Sequence, residues 1–279
     1  MTSSAMLTTA APFDGPGQFR YLAGHAAPGI EDGDAGHYRR LVRLPGGIAE
    51  VQLSLDGPAS VLCTVSGAAD ADLAMVSSRV RRLLDLDADS AAIDSALGAD
   101  PALSAAVLAQ PGVRLPGSLD AEETLFRTLI GQQISIAAAR TVTGNLARAL
   151  CGDSGLFPTA AQLAEHGRAV LRGPASRIAT VVGVAQALAS GSLTLADDLP
   201  VDELTARLVA LPGIGAWTAG YVALRVLQSP DVLLTTDLVM LQGAARLGLP
   251  STAKALADYG RRWSPWRSYA GMRLWRAAR

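Results

Sequence analysis

Between His37 and Val65 apolar and polar residues alternate in three short runs, His37–Leu44, Ile48–Leu55 and Ser60–Val65. A period of two marks a strand with one buried face. Pro45-Gly46-Gly47 and Asp56-Gly57-Pro58 separate the runs, so the pattern predicts antiparallel hairpins. From about Ala71 to Leu86 the period lengthens, and Leu73, Val76, Val80, Leu83 and Leu84 share one helical stripe. Strands followed by a packed helix predict an α+β domain over residues 1–88. From Asp89 onward strand signals cease and Ala/Leu-rich helical periods take over. Breaks at Pro111-Gly112, Pro116-Gly117-Ser118, Gly152 to Pro158, Gly173-Pro174, Gly191-Ser192, Pro212-Gly213, Ser229-Pro230 and Gly248 to Pro250 divide residues 89–279 into roughly ten helices. Ser118 and Asp120 are candidate caps for the helix through Leu125, Phe126, Leu129 and Ile130.

Composition narrows the class. Apolar residues make up 49% of the 279 and charged ones 18%, which excludes a disordered chain. The net charge of −1 conceals an asymmetry. Residues 1–100 carry 7 Arg against 13 Asp and Glu, whereas residues 254–279 carry one Lys and six Arg against Asp258 alone. Such a basic end predicts a local anionic partner. Cys63 and Cys151 build no disulfide framework, which fits a reducing cytoplasm, and His25, His37 and His166 show no ligand spacing. Met1 to Phe13 lacks the basic and apolar regions of a signal peptide. The charge-free runs Ile178–Ala196 and Leu208–Leu224 are interrupted by Gln, Ser, Gly or Pro and read as buried helices, not membrane spans.

The most informative stretch is Leu211-Pro-Gly-Ile-Gly-Ala-Trp-Thr-Ala-Gly-Tyr221. A helix from about Val201 to Val209 ends there and another begins near Gly215. Pro212 and Gly213 make a tight turn, leaving amide N–H groups exposed at a helix N-terminus. That arrangement accepts an anion, and a phosphodiester held by amides is held without sequence readout. Trp217 and Tyr221, four apart, share a helix face. Downstream, Asp237 closes the apolar run Val232-Leu-Leu-Thr-Thr and precedes Leu238, Val239 and Leu241. A carboxylate in such surroundings is a helix cap or a functional group.

The Leu211–Gly215 hairpin followed by Asp237 resembles the helix–hairpin–helix, Gly/Pro…Asp superfamily of DNA base-excision glycosylases. Within it the chain is most similar to the 3-methyladenine DNA glycosylase II family, on three further stretches: Arg114-Leu-Pro-Gly117, Leu129-Ile-Gly-Gln-Gln-Ile-Ser135 and Arg262-Trp-Ser-Pro-Trp-Arg-Ser-Tyr-Ala270. The resemblance runs over nearly the whole chain. It implies an N-terminal sheet domain and two helical lobes with a cleft between them, and a monomer acting on double-stranded DNA with alkylated bases near the nucleoid. The alternatives are a non-catalytic damaged-DNA-binding protein on the same scaffold, or a glycosylase for other damaged bases.

By the resemblance, Asp237 is the catalytic carboxylate, which stabilises an oxocarbenium-like sugar and orients or deprotonates the attacking water. Strand-nicking members carry a lysine early in the second hairpin helix. Trp217 stands at that position here, which implies hydrolysis without a lyase step. Trp217, Tyr221, Trp275 and Gln132 line the base pocket, where a cationic base over an aromatic face gains roughly 0.5–2 kcal/mol. Trp263 and Trp266 are read as structural. Gln133 takes the position that plugs the gap left by a flipped base, although the family's residue there is apolar. Gly213, Ile214, Gly215, Ala216 and Thr218 form the DNA-binding hairpin. No cofactor is required. The carbonyls of Val209, Leu211 and Ile214 are implied ligands of a structural monovalent cation, Na or K. The helix after Asp237 departs from the family because Leu241-Gln242-Gly243 carries no basic residue. Phosphate contacts are then expected from Arg246 or from Arg261, Arg262, Arg267, Arg273 and Arg276.

Overall fold

The computed structural model describes residues 2–196 and 198–278. Three alternating runs fold as expected, into β3 (His37–Leu44), β4 (Gly47–Leu55) and β5 (Ser60–Ser66). Leu44 pairs with Gly47, so Pro45-Gly46 is a two-residue hairpin loop. Tyr38, Val42, Leu44, Ala49, Val51, Leu53, Val61, Cys63 and Val65 turn to one buried face. α1 (Gly15–His25) and α2 (Asp70–Leu84) cover it with Phe19, Leu22, Val76, Val80, Leu83 and Leu84. Asp85, in the left-handed region at φ 54°, stops α2 two residues before the expected Leu86.

Three elements go beyond the expectation. Residues Thr2–Thr8 form β1, which pairs antiparallel with β5, and Glu31–Gly33 form β2 beside β3, completing a five-stranded antiparallel sheet in the order β1-β5-β4-β3-β2. The third is α1, capped by the Asp14 side chain and opened by Pro16 in its first turn. β1 is Ser- and Thr-rich with a single buried position, Leu7, so it lacks the alternation that betrays β3 to β5.

The remainder is helical among the described residues: α3 (Ser90–Gly98), α4 (Pro101–Ala109), α5 (Ala121–Gly131), α6 (Ile136–Cys151), α7 (Ala160–Val170), α8 (Ala175–Ala189), α9 (Val201–Val209), α10 (Ala216–Val226), α11 (Leu238–Arg246), α12 (Ala253–Gly260) and α13 (Arg267–Ala277). Asp120, rather than Ser118, caps α5. Two apolar clusters organise these helices. One gathers α5 to α10 around Phe126, Leu129, Val182, Leu204 and Val222. The other gathers α3, α4 and α10 to α13 around Leu97, Leu103, Met240, Leu256 and Leu274. α10 belongs to both and forms the wall between them. No helix among the described residues is long and apolar enough to cross a membrane.

The charge asymmetry resolves inside the molecule. Arg276 pairs with Asp14, Arg273 with Asp94, and Arg267 with Asp231 at 2.7 and 2.9 Å. Arg261 pairs with Asp258 at 3.0 Å, and Arg262 lies over the Tyr259 ring. Arg246 reaches the Ala277 carbonyl at 3.1 Å. Arg267, Arg273 and Arg276 thus tie α13 to earlier parts of the chain, while Arg246, Arg261 and Arg262 make contacts within the C-terminal helices. Arg279 lies outside the described residues. Two quoted motifs are likewise structural. Arg114, fully buried, donates to the carbonyls of Asp85, Ala88, Ala10 and Pro12. The Trp263 indole donates to Asp100 at 2.8 Å.

Candidate active site

The hairpin forms as its glycines dictate. α9 ends at Val209, Gly213 sits at φ +85°, and a Cβ there would fall 1.9 Å from the Thr180 hydroxyl, so only glycine fits. Gly215 precedes α10 with no side-chain cap. The first N–H to close a helical bond is that of Ala219, onto the Gly215 carbonyl at 3.1 Å. The amides of Ala216, Trp217 and Thr218 are thereby left without intrahelical acceptors. Pro212, Gly213, Gly215 and Ala216 are exposed. The side chains of Ile214 and Thr218 are not, at 5% and 3% exposure. Their expected part in DNA binding is thus confined to backbone atoms, because Thr218 spends its hydroxyl accepting from Gln132 Nε2 at 2.9 Å.

Asp237 caps α11, its Oδ1 accepting the Met240 N–H at 2.8 Å. The cap and the site are one group. Oδ1 also accepts from the Trp275 indole at 3.0 Å, and Oδ2 from the Trp217 indole at 2.9 Å. No guanidinium pairs with it among the described residues. Two indole donors from α10 and α13 thus fix both oxygens of a half-buried carboxylate. α13 comes this close because Gly243 of α11 has no side chain: a Cβ there would lie 1.8 Å from the Leu274 carbonyl. The stretch Leu241–Gly243, in which the sequence shows a loss of basic residues, serves this helix contact. Beside Asp237, Leu238 and Val239 are 74% and 47% exposed.

The aromatic residues converge as expected. Trp217 stacks on Tyr221 with centroids 5.3 Å apart, and Tyr221 meets the edge of Trp275 at 6.2 Å. All three are half-buried. Gln132 caps the far end of α5 and is tied to α10 through Thr218. Gln133 follows it, exposed and at φ +61°. A non-glycine residue in that conformation is strained, and such strain gathers at functional sites.

Two neighbours of the site were not read from the sequence. Tyr21, from α1, brings its hydroxyl to 3.3 Å from that of Tyr221. Arg225, 3% exposed, has its guanidinium carbon 4.9, 5.0 and 5.4 Å from the ring centres of Tyr21, Tyr221 and Trp275. Burial alone would raise the Tyr221 phenol, but the Arg225 charge and the Tyr21 hydroxyl outweigh it and hold the phenol below its usual range. Arg225 was legible in principle, because Trp217, Tyr221 and Arg225 recur every fourth residue on one stripe of α10. Nothing in the sequence announces Tyr21, which tertiary packing alone delivers.

Residues 5–120 match the sequence family described as the AlkA N-terminal domain. The chain is 40% identical over 282 residues to the probable bifunctional transcriptional activator/DNA repair enzyme AlkA of Mycobacterium tuberculosis, across 98% of this chain and 57% of that protein. It thus spans a little over half the length of that relative. It is 34% identical over 208 residues to DNA-3-methyladenine glycosylase 2 of Escherichia coli, across 71% of this chain and 70% of that protein. The 3-methyladenine DNA-glycosylase of Archaeoglobus fulgidus has the same fold, with a TM-score of 0.85 at 18% identity over 98% of both chains. A Schizosaccharomyces pombe 3-methyladenine DNA glycosylase bound to abasic DNA superimposes with a TM-score of 0.60 at 26% identity, over 66% of this chain and 95% of that one. The chain belongs to the AlkA family of DNA-3-methyladenine glycosylases.

Proposed function

We propose that the protein removes alkylated purines such as 3-methyladenine from duplex DNA by hydrolysing the N-glycosidic bond. The observation that carries this reading is the Asp237 carboxylate, gripped by the Trp217 and Trp275 indoles beside the stacked rings of Trp217 and Tyr221. Breaking the bond leaves positive charge on the sugar. A carboxylate already fixed in place stabilises that charge without reorganising during the reaction. It also orients a water and receives its proton. The cap bond from Met240 and the two indole bonds prevent it from turning away.

The flipped base stacks against these rings, and its extrusion is easiest where damage has weakened pairing. The selection expected from a cationic base over open aromatic faces needs revision. Arg225 already lies over Tyr221 and Trp275, so stacking and shape carry more of the recognition. Amides at Ala216 to Thr218 hold a backbone phosphate, and Gln133 fills the space the base vacates. The carbonyls of Val209, Leu211 and Ile214 lie on the same turn, and hard oxygen donors of this kind suit a monovalent cation. The Leu211 carbonyl already accepts the Ile214 N–H at 3.2 Å and keeps one lone pair for such an ion.

The amines of this sequence support hydrolysis without strand cleavage. The sequence has one lysine, Lys254, exposed on α12 beyond the far end of α11 from Asp237. No lysine of this sequence stands on α10 or α11 beside Asp237 to form a Schiff base at the sugar. Incubating the protein with methylated duplex should release free alkylpurines and leave strands intact until alkali is added. Strand breaks without alkali would refute the monofunctional part. Tight binding with no released base would favour the damaged-DNA-binding alternative.

A further inference from the structure

Arg225 poses a problem that glycosylase chemistry resolves. A buried guanidinium normally pairs with a carboxylate, because an unpaired charge is costly away from water. Among the described residues no carboxylate pairs with Arg225. It donates to the Pro116 carbonyl at 2.9 Å, touches the Met272 sulfur at 3.9 Å, and its Nε has no partner. Three aromatic rings, from α1, α10 and α13, surround it, and the Tyr221 hydroxyl is also a hydrogen-bond partner. Of those rings, Trp275 also donates to Asp237, and Tyr221 stacks on Trp217, the other indole donor to that carboxylate.

The stripe Trp217, Tyr221, Arg225 runs inward along α10, from half-buried to fully buried. Asp237 is bound to the outer member of that stripe, and Arg225 is the inner one. A negative charge is thus bound to one side of this aromatic group and a positive charge packs against the other, with the rings of Tyr221 and Trp275 between them. Aromatic rings screen charge poorly, so both are felt across the group.

We propose that Arg225 is a specificity- and rate-determining residue that acts through the aromatic rings to draw the bonding electrons of the glycosidic bond onto the leaving base. The inference rests on the glycosylase reading. In the step, the C1′–N bond breaks and its electron pair passes to the base, while C1′ becomes cationic and takes a water oxygen. The water proton goes to Asp237 or to solvent. A neutral base departs as an anion, which Arg225 stabilises before solvent protonates it. A cationic base departs neutral, so Arg225 opposes its binding but favours its departure, since positive charge moves from the base toward Asp237. One buried cation therefore assists both classes and extends the pocket to poor, neutral leaving groups. It does so by raising rate, not affinity.

Arg225→Met and Arg225→Lys separate this from a packing role. Single-turnover rates and duplex affinities are measured for hypoxanthine, a neutral base, and 7-methylguanine, a cationic one. Arg225→Met should slow hypoxanthine release on the order of tenfold, less than the loss of a direct donor because the charge acts at a distance. It should slow 7-methylguanine release less and bind that duplex more tightly than wild type. Arg225→Lys should restore most of the rate. An equal loss of rate and affinity for both lesions in the two variants would mark packing alone and overturn the proposal, as would unchanged rates in Arg225→Met. If Arg225→Met does not fold, the wild type decides. Its rates should fall less steeply with leaving-base basicity than uncatalysed hydrolysis does, and equal slopes would overturn the inference. A wild type that releases neither base would instead refute the glycosylase reading on which it stands.

Discussion

The molecule buries arginines in two places and treats them in opposite ways. At the joint between the sheet and α5, Arg40 and Arg127 meet Glu31 and Glu123. Arg127 reaches Glu31 at 2.7 Å and Glu123 at 3.0 Å, and Arg40 forks onto Glu123. Tyr38 and the Ala27 N–H fill the remaining acceptors of Glu31. Burial would raise that carboxyl, but the two guanidinium groups and these donors outweigh it and leave it at about 2. Beside the candidate active site, Arg225 has rings where the joint has carboxylates. A charge whose task is to hold two layers together is neutralised on the spot. A charge left with rings keeps its field, and the rings it faces include Trp275, which holds Asp237.

The contrast is strongest where the paired joint is cut. Glu123→Ala should cost about 3–5 kcal/mol in urea unfolding, because it leaves Arg40 and Arg127 buried with one carboxylate between them. The folded fraction should release base at the wild-type single-turnover rate. A loss below about 1 kcal/mol would mean the joint carries no more than an exposed pair does.

A smaller effect tests Asp85, an intermediate case. It accepts from the Leu115 N–H and the Tyr269 hydroxyl, each at 2.9 Å, but makes no ion pair among the described residues. Burial raises its carboxyl, those donors offset part of the rise, and the group settles at about 6 against an ordinary 3.8. A raised folded value means the favourable contribution is complete below pH 3.8 and is lost as pH climbs through about 6. Relative to Asp85→Asn, wild type should therefore lose stability between about pH 4 and 7, by up to about 3 kcal/mol. Asparagine also suits the left-handed backbone there. Parallel stability profiles for the two proteins would show that Asp85 is not strained by burial.

Much of this was legible in the sequence where one local cause sufficed. β3 to β5 alternate, α2 has its stripe, and the hairpin is written in Pro212, Gly213 and Gly215. The grouping of Asp237, Trp217, Tyr221 and Trp275 followed from motif resemblance. The illegible parts depend on partners far along the chain. β1 is a polar edge strand defined by β5, and Tyr21 meets Tyr221 across 200 residues of chain. The basic C-terminus read as an interface for anions because Asp14 and Asp94, which take up Arg276 and Arg273, lie some 180 or more residues earlier. Charge counts along a chain do not say which charges fold together.

The central claim concerns one carboxylate, and Asp237→Asn tests it most directly. Asparagine caps a helix about as well as aspartate and keeps an oxygen for an indole donor, so fold and lesion-duplex affinity should persist. Single-turnover release of 3-methyladenine should fall by at least about 10³-fold, since the charge facing the sugar is gone. Release within about tenfold of wild type by a folded Asp237→Asn protein would contradict the account.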